Sequence, residues 1–189
     1  MQIQDILTQI ESRAIIDKVP IVDKKSAEVL LSFVAPHMHM LEVGTATGYS
    51  GIAMLSKYDT TTLTTLDIST DRLAQAVDNF KQARLTNRVT VLQADALMFL
   101  ETCSQKFDLI FLDGAQGKYA QMLGLAKKVL KKGGILIADN VLRFNRTNEA
   151  HAKRLLKKMG EFITLIQSDS DFTTTLYDCG DGLCIAIKK

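Results

Sequence analysis

The chain has no tryptophan, only two prolines and three cysteines in 189 residues, and its net formal charge is only +2. Each scarcity excludes something. Cys103, Cys179 and Cys184 are odd in number and show neither a C-x-x-C spacing nor a zinc-ligand set, so neither a disulfide framework nor a zinc site is indicated; they read as buried thiols. The small net charge does not by itself call for a polyanionic partner, so any nucleic-acid argument must rest on local clustering. Apolar runs fall short of the roughly 20 residues that span a bilayer, and Met-Gln-Ile-Gln-Asp at the start lacks a signal pattern, so a cytoplasmic location without membrane contact is expected. What is abundant is ordinary: 47% hydrophobic and 23% charged residues, the composition of one folded globular domain over residues 1–189.

Ile3, Ile6, Leu7, Ile10 and Ala14 recur at helical spacing and predict an opening helix. Its apolar stripe can pack on its own domain or on a twin subunit, so a homodimer stays open. Asp23 can cap a second helix running to Ala35, and together these two form an N-terminal helical segment over residues 1–36. Beyond it, short apolar runs at Met40–Val43, Thr61–Leu66, Val89–Leu92, Leu109–Leu112 and Ile135–Ala138 alternate with helical patterns at Ser50–Lys57, Asp71–Leu85, Ala96–Thr102 and Tyr119–Leu130. This alternation predicts an α/β fold, a parallel sheet covered by helices on both faces. A helix over Glu149–Gln167 then precedes strands Phe172–Tyr177 and Leu183–Ile187, joined by the hairpin signal Asp178-Cys-Gly-Asp-Gly182, so the sheet is expected to end antiparallel.

In such a sheet ligands bind beyond the carboxyl ends of the strands. The first strand runs into Gly44-Thr-Ala-Thr-Gly48, where glycine lets backbone approach a ligand and the next helix offers its amides. The spacing is G-x-x-x-G, not the G-x-G-x-x-G of dinucleotide sites, and Glu42 just before it would repel a pyrophosphate but suits the ammonium of a methionine moiety. Asp67 closes the second strand, where a carboxylate can accept ribose hydroxyls, and Asp95-Ala96 after the third can hold an adenine edge. Singly each acid also reads as a helix cap; jointly they point to S-adenosylmethionine. The fourth strand ends in Asp113 and the fifth in Asp139-Asn140. Neighbouring strand ends lie about 5 Å apart, so two carboxylates and an amide oxygen converge into a hard donor set suited to Mg²⁺ or another divalent cation. Taken separately, these residues also read as loop caps and a turn.

With these residues in hand, the chain resembles the cation-dependent O-methyltransferases related to catechol and caffeoyl-coenzyme A methyltransferases. Leu41–Ser50, Phe111–Tyr119 and Gly133–Leu142 match that family's cofactor loop and metal motifs. Within the family it is most similar to bacterial tRNA 5-hydroxyuridine methyltransferases, through Val19–Val22 and Gly180–Lys189. The resemblance implies a Rossmann-like class I methyltransferase fold with a seven-stranded, mostly parallel sheet in the order 3-2-1-4-5-7-6. It implies that Val22, Ser50, Asp67, Asp95, Ala96 and Asp113 line the cofactor pocket, beside Glu42 and Gly44 from the loop reading, and that Asp113, Asp139 and Asn140 hold Mg²⁺. It further implies methylation of 5-hydroxyuridine at the tRNA wobble position, with the anticodon loop as partner; methylation of a small catechol-like molecule, or binding without catalysis, are the alternatives.

Where the family carries a lysine that helps deprotonate the acceptor, this chain has Gln116. A neutral amide cannot be that base; Lys118 can substitute or stand as a surface lysine. Between Arg143 and Lys158 lie six basic residues, Arg143, Arg146, Lys153, Arg154, Lys157 and Lys158, against one acid, Glu149. They read either as a phosphate-tracking face or as the solvated side of a helix whose Leu155, Leu156, Met159, Phe162, Ile163 and Ile166 face inward. Phe144 is a candidate for holding a flipped base. A second basic group, Lys127, Lys128, Lys131 and Lys132, is expected at the opposite end of the sheet, and none of His37, His39 and His151 is placed for chemistry.

Overall fold

A computed structural model describes residues 2–142 and 149–189, without the side chains of residues 149–151. Two N-terminal helices, α1 (Ile3–Asp17) and α2 (Lys24–Ser32), precede an alternation of strands and helices: β1 (His39–Val43), α3 (Tyr49–Leu55), β2 (Thr62–Asp67), α4 (Thr70–Gln82), β3 (Val89–Gln93), α5 (Ala96–Thr102), β4 (Phe107–Leu112), α6 (Tyr119–Val129) and β5 (Leu130–Ala138). A 3-10 turn, Gln116–Lys118, sits ahead of α6, and α7 (Glu149–Ser168), β6 (Phe172–Tyr177) and β7 (Leu183–Lys188) complete the order. Asp23 caps α2 as expected, accepting the Lys25 and Ser26 amides, although the helix ends at Ser32 and not at Ala35. Among the described residues no helix is long and apolar enough to cross a membrane.

The seven strands form one sheet ordered β3-β2-β1-β4-β5-β7-β6. β1 pairs in parallel with β2 on one side and β4 on the other, which makes the gap between β1 and β4 the point where the winding reverses. β7 runs antiparallel to both β5 and β6. Strand pleating divides the core. Leu41, Val43, Ile110 and Leu112 pack with residues of α5, α6 and α7, whereas Met40, Leu109 and Phe111 pack with those of α1, α2, α3 and α4. The opening helix therefore packs on its own domain, with Ile6, Leu7, Ile10 and Ala14 buried and Ile15 and Ile16 left exposed.

Two readings are corrected, the start of the fifth strand and the burial of the thiols. The fifth strand starts five residues earlier than Ile135, because Leu130 pairs with Phe107 while Lys131 reaches Asp108 at 2.8 Å; a register irregularity follows before Ile135 pairs with Leu109. The basic group there does face the amino-terminal end of the sheet, but Lys127 is bound by Asp169 and Asp171 and Lys131 by Asp108. Of the three thiols only Cys184 is buried; Cys103 and Cys179 are partly exposed.

Glu42 shares a pleat parity with Met40, so its side chain enters the α1–α4 face and is fully buried. It accepts hydrogen bonds from the Ser50 hydroxyl on α3 at 2.5 Å and the Thr65 hydroxyl on β2 at 2.6 Å. Burial pushes its carboxyl up to about 7, with the nearby Asp67 charge adding and the two hydroxyls opposing. A carboxyl held above its ordinary value keeps its proton longer in the folded chain, so its contribution to stability falls as pH rises from about 4.5 to about 7. Urea titrations of wild type and Glu42→Gln across that window should show the difference moving in the variant's favour by about 2–3 kcal/mol. Parallel pH curves would contradict an uncomfortably ionised Glu42. On the other face, Phe162→Ala empties a fully buried site against Tyr119 and should lower stability by about 3–5 kcal/mol in the same assay.

Candidate active site

The carboxyl ends of β1, β2, β4 and β5 open into a cavity of about 1010 Å³, bounded by the loops that follow each strand. At its floor two loops nearly touch. Gly44 has φ +105°, and a Cβ there would lie 2.8 Å from the Asp113 carbonyl carbon and the Gly114 nitrogen. Only glycine accommodates both that backbone angle and that approach. Ala46, Ala115 and Asn140, all on the cavity lining, also have positive φ (43°, 56° and 56°), so the rim is built from backbone that non-glycine residues adopt reluctantly.

One half of the cavity is organised by Asp67. Its carboxylate oxygens accept the Ala46 amide at 3.0 Å and the Ser69 amide at 2.9 Å, tying the β1 and β2 loops together. Each oxygen keeps a further lone pair. Beside it stand Ile68, 72% exposed, and Arg72, neither of which the sequence reading singled out. Asp95 and Ala96 close this half. The Asp95 carboxylate caps α5 through the Leu97 and Met98 amides and binds Lys118 at 2.8 Å. That lysine, followed by the capping amides, holds the Asp95 carboxyl below its usual range.

The other half is acidic. Leu112 and Ala138 are partners in register, so Asp113 and Asp139 are successive residues on adjacent strand ends. Asp139 is buried at 1% exposure and accepts the Asn140 amide at 2.8 Å. Burial pushes both carboxyls up; the Asp139 and Glu42 charges raise Asp113 further, and those of Asp23 and Asp181 raise Asp139. Beneath them Tyr119, also buried, donates to the Leu112 carbonyl at 2.7 Å. Gln116 donates from Nε2 to Asn140 Oδ1 at 2.9 Å.

Of the residues expected from sequence, Gly44, Asp67, Asp95, Ala96, Asp113, Gln116, Lys118, Asp139 and Asn140 line this one cavity. Val22, Glu42 and Ser50 do not. Glu42, expected to meet a ligand ammonium, faces away because of its pleat parity and is consumed by Ser50 and Thr65. Val22 borders a neighbouring apolar cavity of about 570 Å³ under α1. Lys118, weighed as a substitute base, is held by Asp95. Asp181, in the β6–β7 hairpin, joins the lining unpredicted; the acid in Asp178-Cys-Gly-Asp-Gly182 was visible, but its proximity to Asp139 depends on the antiparallel pairing of β5 with β7. Arg143, Phe144 and Arg146, and the side chains of Glu149 and His151, lie outside the described residues.

The acidic half suits a divalent cation by its donors. Among the described residues no three acids, histidines or cysteines gather; two carboxylates and one amide side chain, those of Asp113, Asp139 and Asn140, line this end of the cavity. That is a set a Mg²⁺-sized ion uses together with waters or ligand oxygens, and a cation there would offset the burial and neighbouring negative charge that lift both carboxyls.

Comparisons with known proteins bear on the fold and the family. A catechol O-methyltransferase of Niastella koreensis is 26% identical, over 85% of this chain and 77% of that protein. The tapetum-specific methyltransferase 1 of Arabidopsis thaliana is also 26% identical, over 77% and 67%. The solved structure of an O-methyltransferase from Bacillus cereus in complex with SAH has the same fold, with a TM-score of 0.84, 24% identity, and coverage of 98% of this chain and 91% of that one. The O-methyltransferase family model matches residues 10–189, the whole sheet and all its helices but the start of α1, and the chain belongs to that family.

Proposed function

We propose that the chain transfers the methyl group of S-adenosylmethionine to an aromatic hydroxyl, with a divalent cation held by Asp113, Asp139 and Asn140. The observation that carries this reading is the union, in one cavity, of the Asp67-centred half and the acidic half, on either side of the Gly44–Gly114 contact. The Asp67 carboxylate, already oriented by two backbone amides, accepts the ribose hydroxyls, and the exposed Ile68 side chain gives the adenine an apolar face. The cation would lower the pKa of an acceptor hydroxyl and favour its oxyanion. Asp113 and Asp139 supply the negative charge that retains the cation, and Asn140, fixed by Gln116, sets the third corner. Neither Gln116 nor the Asp95-bound Lys118 serves as a general base, so the protein's share of catalysis is positioning and charge stabilisation.

The acceptor best supported by the relatives is a small catechol-like molecule, since the Niastella koreensis protein is named for that substrate. A second reading, 5-hydroxyuridine at the tRNA wobble position becoming 5-methoxyuridine, is favoured by the exposed basic face of α7, where Lys153, Arg154, Lys157 and Lys158 project to solvent. Methyl transfer from labelled S-adenosylmethionine to free catechols and to 5-hydroxyuridine-containing tRNA separates the two, and accumulation of 5-hydroxyuridine in tRNA from cells lacking the protein would select the second. In either assay Asp139→Ala should lower turnover by a factor on the order of 10²–10³ while S-adenosylmethionine affinity stays within a few-fold. Undiminished turnover would overturn the metal role.

A further inference from the structure

At the β3 end of the large cavity an acceptor and a donor stand side by side. Asp95 caps α5, and Lys118 directly precedes α6. These two helices pack beside each other on one face of the sheet, so their leading ends meet although the two residues are 23 positions apart. Lys118 Nζ donates to Asp95 Oδ2 at 2.8 Å, and both residues line the cavity. The carboxylate is used unevenly. Oδ1 accepts the Leu97 and Met98 amides at 2.9 and 3.3 Å, which fills its two lone pairs. Oδ2 accepts from Lys118 and keeps a second lone pair, while the bond takes one of the three N–H groups of the ammonium.

As a stitch between helices this pair has little to offer. Its side chains are 44% and 33% exposed, and an ion pair so open to water adds little to stability. As a reader of a ligand edge it has a definite chemistry. An unfilled acceptor position lies beside N–H donors, which complements a ring edge where an amino group adjoins an unprotonated nitrogen. Adenine carries such an edge on both sides of its amino group, towards N1 and towards N7. Ile68, on the same cavity wall, offers the apolar contact that a ring face needs while its edge is read.

We propose that Lys118 is a cofactor-specificity residue, which donates to the ring nitrogen beside the adenine amino group while Asp95 Oδ2 accepts from that amino group. The inference rests on the S-adenosylmethionine reading above and deepens it. It also gives Lys118 a task at the adenine end of the cavity, where its bond to Asp95 holds it, and none at the acceptor hydroxyl.

The test is isothermal titration of the full chain with S-adenosylhomocysteine and with its 1-deaza, 3-deaza and 7-deaza analogues, in each of which C–H replaces one ring nitrogen. Wild type, Lys118→Met and Lys118→Arg are compared, with thermal unfolding to confirm that each is folded. N1 and N7 flank the amino group and N3 does not. Wild type should therefore bind either the 1-deaza or the 7-deaza analogue at least about tenfold more weakly than S-adenosylhomocysteine, and the 3-deaza analogue within about threefold. Lys118→Met should bind that sensitive analogue and S-adenosylhomocysteine within about twofold of each other, and Lys118→Arg should retain most of the wild-type difference. A purely structural lysine would change the affinities for all four ligands alike. Sensitivity that survives undiminished in Lys118→Met, or wild type that binds all four ligands equally, overturns the role of Lys118 and leaves the cofactor site standing. Wild type that does not bind S-adenosylhomocysteine overturns the cofactor reading itself, and this inference with it.

Discussion

The parallel pairing of β4 with β5 delivers Asp113 and Asp139 to one spot, about 5 Å apart by strand spacing, at the edge of a low-dielectric core. Both lose hydration there, which is the main reason both are pushed toward protonation, and neighbouring acids add to it, Asp139 and Glu42 at Asp113 and Asp23 and Asp181 at Asp139. Nothing in the stability of the sheet requires acids there; leucine and alanine precede them in the same strands. A sheet that keeps such a pair carries an electrostatic cost at its carboxyl end, which the proposed cation would offset. Tyr119 donates to the Leu112 carbonyl beneath them, Asn140 next to Asp139 has φ 56°, and Gly44 lets the β1 loop close within van der Waals distance of Asp113.

The same constraint explains the division of the cavity. The positive-φ residues Ala46, Ala115 and Asn140 occur in three different loops, yet all face the one space. Backbone of this kind persists where the neighbouring structure over-determines it. At Ala46 that determinant is its amide bonded to Asp67; at Asn140 it is the bond to Asp139 and the amide contact with Gln116. The two halves are joined at the strand ends, where the Gly44 amide donates to the Leu66 carbonyl and the Asp113 amide to the Val43 carbonyl.

Much of this was legible in the sequence because it depends on short-range pattern. The alternation of apolar runs with helical stretches located the strands, the fifth apart, to within a few residues, the strand order came with the family resemblance, and the acids at strand ends followed from counting. What was not legible depends on pleat parity and on cross-strand partners. Glu42 looked like a ligand-facing acid because it precedes the glycine loop, but one residue of parity turns it toward Ser50 and Thr65. Lys118 looked like a substitute for the missing lysine, and only the fold shows that Asp95 holds it. The strand Leu130–Ala138 was read short because Lys131-Lys132-Gly133-Gly134 has no β pattern; it is extended because Leu130 and Lys131 find Phe107 and Asp108 on β4.

The central claim is that Asp113, Asp139 and Asn140 form one divalent-cation site beside the Asp67 pocket. Manganese(II) binding followed by electron paramagnetic resonance tests it most directly, on wild type and on Asp113→Asn and Asn140→Ala, with and without S-adenosylmethionine. The account predicts stoichiometric binding by wild type and weakening by at least about tenfold in each variant. Wild-type protein that binds no manganese, or variants that bind it as tightly as wild type, would contradict it.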